Sequence, residues 1–333
     1  MAAAPAPRGR RPRVALALGD PAGIGPEIAL AALRDPRVQE RTRLVLIGPE
    51  SLRPADVRAA TAAELAGDPE RASDETACWL ATPAPAEWRM GEVQGVCGRA
   101  AIDALRAGHE LALARRVDAL VTCPVNKAAL HRAGEPVEGQ TELLGRWAAV
   151  ERLEMLAVAG ELRVMLLTRH VPLREAIDRI TRDRVVDRLE LLDSTLRRLG
   201  IGRPRLALAG LNPHAGEGGI LGAEDEEILR PAVEIARRAG VDVAGPRSPD
   251  TVFLQASRGE FDGVLALYHD QAFIPIKLLS EDRGVTVLAG LPYLRVSPVH
   301  GTAFDIAGRG IASHENLVAA IVLAAEWSAR VVR

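Results

Sequence analysis

Short apolar runs alternate with segments of helical period along almost the whole of this sequence. The runs occupy residues 14–18, 44–47, 119–122, 155–159, 163–168, 205–209, 263–268 and 285–288, and helical patterns such as 98–115, 182–199, 224–238 and 315–332 lie between them. Runs of four to six residues are too short for helices, and an all-apolar strand has no solvent side, so they read as strands covered on both faces. Such strands interleaved with helices predict an α/β fold with mostly parallel sheets. Aromatic residues make up 3% of the chain, so the core is expected to be built from Ala, Leu, Val and Ile. At 333 residues the chain exceeds one ordinary core and predicts two domains.

Several classes of protein are excluded. A formal net charge of −2 offers no general basic face, so no nucleic-acid partner is expected. No 18-residue apolar stretch occurs, so no membrane span is expected either. The opening MAAAPAPRGRRPR is basic and Pro-rich, with only five apolar residues following. It lacks the form of a secretory signal, and residues 1–12 read as a disordered extension. Cys78, Cys97 and Cys123 are odd in number and scattered, which suits neither a disulfide framework nor a thiolate metal site and points to a reducing, cytoplasmic setting.

Ligands of parallel α/β sheets gather beyond the carboxyl ends of the strands. Five polar segments follow strand-like runs here: GDPAGIGPE (19–27), CPVNK (123–127), RHVPL (169–173), GLNPHAGEGG (210–219) and HDQAFIPIK (269–277). Their shared position predicts one common cleft. Three of the seven histidines, His170, His214 and His269, fall within these segments. Three imidazoles meeting at one point would bind a divalent transition metal with a coordination position left open. Each could equally be an ordinary hydrogen-bonding loop residue, because no pair has the short spacing of a metal motif. His109, His131 and His314 lie on helical patterns and are expected to face solvent; His300, in SPVHGTA, is unassigned.

The other motifs also carry two readings each. GDPAGIGPE can cradle a phosphate at a helix start or simply turn the chain tightly; it lacks the features of a P-loop or a dinucleotide fingerprint. GLNPHAGEGG, with Glu217, could form an anion-binding nest. Asp270 could orient His269 from behind or cap the following helix. All but two of the 42 basic residues are arginine. The two lysines, Lys127 and Lys277, both lie in these motif segments, where a compact or titratable charge has a use that a guanidinium does not. Arg295 follows a Gly-Leu-Pro turn and is a candidate anion clamp.

Together with RHVPLREA (169–176), YHDQ (268–271), GLPYLR (290–295) and HGTAFDIAGRG (300–310), these motifs closely resemble the 4-hydroxythreonine-4-phosphate dehydrogenase family, in order, from residue 14 to about 325. The resemblance implies a homodimer of subunits with two α/β/α domains, similar to isocitrate and isopropylmalate dehydrogenases. The active site would lie in the interdomain cleft at the dimer interface. By analogy, the first domain is discontinuous, residues 13–135 with 300–333, and the second spans 136–299. It further implies a divalent metal, zinc, magnesium or cobalt, held by His170, His214 and His269 from both subunits, with NAD or NADP as hydride acceptor. Substrate contacts map onto Gln140, Thr141, Lys277, Thr286 and Arg295; Lys127, Lys277 and Asp270 are candidate catalytic groups, and no cofactor contact is assigned.

Two mapped positions depart from the family, which usually has histidine where this chain has Gln140 and asparagine where it has Thr286. Gln140 can donate and accept hydrogen bonds but cannot titrate as imidazole does. The implied reaction oxidises 4-phosphooxy-L-threonine to a 3-keto acid, which decarboxylates to 3-amino-2-oxopropyl phosphate in pyridoxal phosphate biosynthesis. Rival readings are the same chemistry on a phosphorylated threonate or erythronate or on a cis-dihydrodiol carboxylate, and a two-lobed small-molecule binding protein without catalysis.

Overall fold

The structure is a computed structural model and describes residues 11–66 and 76–330. The extension expected at 1–12 lies outside the described residues except for its last two. There the Arg43 amide donates to the Pro12 carbonyl, and the Arg11 guanidinium donates to the Gln39 carbonyl. The described strands are β1 (Arg13–Ala17), β2 (Arg43–Pro49), β3 (Arg58–Ala60), β4 (Ala77–Thr82), β5 (Ala119–Thr122), β6 (Glu154–Ala159), β7 (Leu162–Leu166), β8 (Leu206–Ala209), β9 (Val243–Arg247), β10 (Gly263–Ala266), β11 (Val285–Ala289) and β12 (Leu294–Pro298). All eight apolar runs are strands, and the fold is α/β as expected.

The chain divides into two compact units, Met1–Glu151 with Leu291–Arg330, and Arg152–Gly290. These bounds lie inside the expected 135/136 and 299/300. The helix Gln140–Ala148 packs on the helix Gly95–Leu113 of the first unit, and β12 pairs with β5, so both segments join that unit.

The first unit orders its strands β3-β4-β2-β1-β5-β12, and every pair is parallel. Successive side chains of a strand point to opposite faces, and Leu120 and Val121 are both fully buried. Both faces of this sheet are therefore covered. The helix Gly95–Leu113 packs on β1, β2 and β5, and the helix Glu315–Arg330 packs on β1, β5 and β12.

The second unit orders its strands β11-β6-β7-β10-β8-β9. Here β7, β10, β8 and β9 run parallel, whereas β6 is antiparallel to both β7 and β11. The sheet is thus more mixed than the expected mostly parallel one. The cause is local: only Gly160 and Glu161 separate β6 from β7, and a two-residue link can join only antiparallel neighbours. The helix His269–Ser280 packs on β6, β7 and β10.

Candidate active site

In the second unit β7, β10 and β8 are consecutive and parallel, with Leu166 opposite Ala266 and Leu208 opposite Leu265. The segments carrying His170, His269 and His214 therefore leave one end of the sheet from neighbouring strands, spaced about 5 Å apart. Topology draws together residues that lie far apart in sequence.

His170 and His269 face each other, with ring centroids 5.5 Å apart and planes inclined at 43°. Two imidazoles sharing one ion at ordinary metal–nitrogen distances place their centroids about 5 Å apart, so the pair fits a common cation. His269 Nδ1 lies 2.7 Å from an Asp270 carboxylate oxygen. A carboxylate only accepts, so Nδ1 donates this bond, and in the neutral ring Nε2 is the nitrogen left for a ligand. The ring also stacks on Phe273 one helical turn later, at 4.6 Å. Asp270 and Phe273 hold the imidazole from two sides.

His214 sits in a different conformation. From His214 through Gly219 every residue has positive φ, which forms a left-handed turn after β8. Such backbone disfavours residues with a Cβ, yet His214, Ala215 and Glu217 adopt it. The buried Asp225 carboxylate offsets that strain by accepting from the Leu211 amide at 2.9 Å, the Asn212 amide at 3.0 Å and Asn212 Nδ2 at 2.9 Å. Gly210 and Gly216 line this clasp, and a Cβ on Gly210 would lie 2.9 Å from Asp225 Oδ1 and from Ala215 Cα. Asp225 opens a π-helical turn, Asp225–Leu229, where an unbroken helix was expected. Pro231 lacks the amide that would continue an α-helix through this point.

Among the described residues, the group of three metal-capable side chains with ligand atoms within 4.8 Å of one another is Asp35, His314 and Glu315. Within one chain His214 does not complete such a group with His170 and His269. The Asp35 cluster has suitable donor types, but Arg37 already bridges it, with Nη2 2.7 Å from both Asp35 and Glu315. Asp35 also caps the helix Pro36–Arg41. That cluster serves as an ion-pair tie between two helices.

In the first unit the central feature is Arg295 on β12. Its guanidinium is buried, donates from Nη2 to Thr122 Oγ1 at 2.6 Å and Gln140 Oε1 at 3.3 Å, and leaves Nε without a partner. Both acceptors are neutral, and burial brings its pKa down to about 10. Tyr293 and the Glu142 carboxylate act against that fall, but a buried cation whose hydrogen-bond partners are neutral remains costly unless an anion joins it. Gln140 is wedged in place by donating Nε2 to the Cys123 carbonyl at 2.9 Å, and Thr141 follows it in the first turn of the same helix.

GDPAGIGPE is a tight turn: the amides of Asp20, Gly23 and Ile24 donate to Pro124, Asp20 and Thr302 carbonyls, and the Ala22 amide donates to the Asp20 carboxylate. These amides are committed within the fold and cannot cradle a phosphate. Burial raises the Asp20 carboxyl to about 6, against the Ala22 and Asn126 amides, which act to lower it. His109 does not face solvent as expected: it is buried, with Nδ1 2.7 Å from the Tyr293 hydroxyl and its ring against Trp147, because its helix turns that face onto the sheet. His131 is exposed as expected. Lys127 begins the helix Lys127–Arg132 and Lys277 lies in the helix His269–Ser280, both exposed, while Thr286 is buried on β11. Sequence reading missed the part played by Asp225 and by Gln271, whose buried amide bridges two strand ends. Neither carries a local signal.

Residues 34–324 match the model of the family described as pyridoxal phosphate biosynthetic protein PdxA. The 4-hydroxythreonine-4-phosphate dehydrogenase of Desulforapulum autotrophicum is 40% identical, covering 95% of each chain. The D-threonate 4-phosphate dehydrogenase of Salmonella typhimurium is 41% identical, covering 93% of this chain and 97% of that one. The crystal structure of 4-hydroxythreonine-4-phosphate dehydrogenase from Klebsiella pneumoniae superposes with a TM-score of 0.85 at 38% identity, over 95% of this chain and 99% of that one. The chain, with its paired histidines and its buried arginine, belongs to the PdxA family and is an NAD(P)-dependent dehydrogenase of that type.

Proposed function

We propose that the chain catalyses metal-dependent, NAD(P)-linked oxidation of 4-phosphooxy-L-threonine. The C3 carbon gives hydride to the nicotinamide and the C3 hydroxyl gives up its proton. The 3-keto acid then loses CO2 to leave 3-amino-2-oxopropyl phosphate, a step toward pyridoxal phosphate. The observation that carries this reading is Arg295, a buried guanidinium with neutral partners and an unpartnered Nε, which suits a substrate phosphate or carboxylate. Lys277 adds a second positive charge, and Gln140, Thr141 and Thr286 supply hydrogen bonds. Lys127 is the candidate proton carrier.

His170, His214 and His269, drawn from two copies of the chain, would hold one zinc, magnesium or cobalt ion. When bound, such an ion lowers the pKa of a coordinated hydroxyl and orients it. Asp270 keeps His269 in the tautomer a ligand needs. The homodimer has support in the surface around these histidines: Leu173 and Ile177 on one helix and Ile274 and Leu278 on another, each pair one turn apart, are 39–76% exposed. Apolar side chains in that density suit burial against a second copy, which would place the site at the dimer interface in the cleft between domains. A cytoplasmic location fits the three buried free cysteines. No described helix is long and apolar enough to cross a membrane, and no nucleic-acid partner is proposed.

A second reading, D-threonate 4-phosphate as substrate, is favoured by relatives of that name at the same level of identity. The two substrates differ at C2, amine against hydroxyl. Reduced-nicotinamide formation with each substrate, with NAD and with NADP, before and after chelation, tests the proposal. Turnover of 4-phosphooxy-L-threonine that chelator abolishes supports the first reading. Turnover of D-threonate 4-phosphate alone supports the second, and chelator-resistant turnover removes the metal from both.

A further inference from the structure

The sheet's own hydrogen-bond ladder ends just before the histidine segments begin, at Ala266 opposite Leu166 and Leu265 opposite Leu208. Beyond that point the three chains are joined by side chains. The Leu167 amide makes a last backbone bond to the Ala266 carbonyl at 2.7 Å. Thr168 Oγ1 then donates to the Leu267 carbonyl at 2.8 Å, the Leu267 amide donates to Gln271 Oε1 at 2.7 Å, and Gln271 Nε2 donates to the Gly210 carbonyl at 2.8 Å. Thr168, Leu267 and Gln271 are all buried, so water does not compete for these groups.

The relay reaches each segment a few residues before its histidine. Thr168 precedes His170 by two residues, Leu267 precedes His269 by two, and Gly210 precedes His214 by four. From Gly210 the path continues at once into the Asp225 clasp at Leu211 and Asn212. We infer that Gln271 is a positioning residue for the candidate metal centre, whose side chain, with Thr168, sets the register of the three histidine-bearing segments. An amide is suited to this place because one end must accept from an N–H while the other donates to a carbonyl. No apolar, hydroxyl or carboxylate side chain of that length meets both demands.

The inference rests on the proposed metal site, so the test separates the two. Co(II) is titrated into metal-free protein, and its visible absorption and dissociation constant are read for wild type, Gln271→Met, Thr168→Val, Thr168→Ser and the His170→Ala/His269→Ala double variant. Circular dichroism and urea midpoints are measured on each. Partners behind metal ligands typically change metal affinity by about 10–100-fold. Gln271→Met and Thr168→Val are therefore expected to weaken Co(II) binding at least about tenfold and to alter its visible bands, with Thr168→Ser restoring both. A ligand-field change with rescue is something a purely stabilising contact would not give. If wild type binds Co(II) through its histidines and Gln271→Met matches its spectrum and affinity, the inference fails while the metal site stands. Should Gln271→Met not fold, Thr168→Val decides in the same way. If wild type and the double histidine variant bind Co(II) alike, the metal site and this inference fall together.

Discussion

Replacing Asp225 with alanine tests how the left-handed turn that carries His214 is maintained. The fully buried carboxylate accepts three hydrogen bonds, from the Leu211 and Asn212 amides and from Asn212 Nδ2. A donor left unsatisfied in the interior costs about 1–3 kcal/mol, and two backbone donors lose their acceptor here. The half-buried Asn212 side chain can turn toward water, so the expected loss is about 3–4 kcal/mol. Against this stands the turn itself. Three residues with a Cβ hold positive φ within it, at about 1–2 kcal/mol each, so the strain matches the clasp in size. With the clasp gone, the turn is expected to relax toward ordinary backbone instead of remaining in place. Asp225→Asn keeps one acceptor oxygen but turns an NH2 toward donors, and should fall between the two. Equilibrium urea unfolding gives the stability, and hydrogen exchange at the Leu211 and Asn212 amides reports the local release. An Asp225→Ala protein within about 0.5 kcal/mol of wild type, with those amides still protected, would refute the reasoning.

Arg295→Met should lower kcat/KM by about a hundredfold or more, the loss expected for a charged contact to a substrate anion. The same variant should raise the melting temperature, because a buried guanidinium hydrogen-bonded only to neutral groups gives way to apolar volume; a fall in melting temperature would show that the Glu142 charge already compensates it. For Asp20 the folded pKa of about 6 lies above the ordinary 3.8, so its contribution is fully present below pH 3.8 and is lost as pH rises through about 6. Asp20→Asn should consequently be more stable than wild type above pH 6, by at most about 3 kcal/mol, with the gain vanishing near pH 4; a pH-independent difference in urea midpoint would rule this out. Paired Ile274→Asp and Leu278→Asp substitutions should shift light-scattering mass from dimer to monomer and abolish turnover. A dimer that survives them would move the interface elsewhere.

How much of this was readable from the chain depended on the range of the interaction involved. All eight apolar runs are strands because burial on both faces writes itself into consecutive residues. Four of the described strands escaped: β9 contains Gly245 and Pro246, β12 carries Arg295 and ends at Pro298, β3 is short and mostly exposed, and β4, Ala77–Thr82, has neither a breaker nor a charge and ends in a half-exposed Ala-Thr pair. The candidate histidines were visible as types at strand ends, but that β7, β10 and β8 lie side by side is a property of strand order, which composition does not encode. Gln271 reads locally as one polar residue in a helix start, and Asp225 as one acid among several in AEDEE. Their roles exist only through contacts with Leu267, Gly210, Leu211 and Asn212. His109 shows the reverse error: helical period placed it on a surface, whereas its ring closes against Trp147 and Tyr293, both remote in sequence.

Metal content of the purified protein bears most directly on the central proposal, because Asp35, His314 and Glu315 also have donor types that could hold an ion. Elemental analysis after exhaustive dialysis is predicted to give one divalent ion per site in wild type, to give none in His170→Ala or His269→Ala, and to leave the ion in place in Asp35→Asn. An ion that persists in both histidine variants and disappears in Asp35→Asn would assign the centre to Asp35, His314 and Glu315, and the account given for His170, His214 and His269 would be wrong.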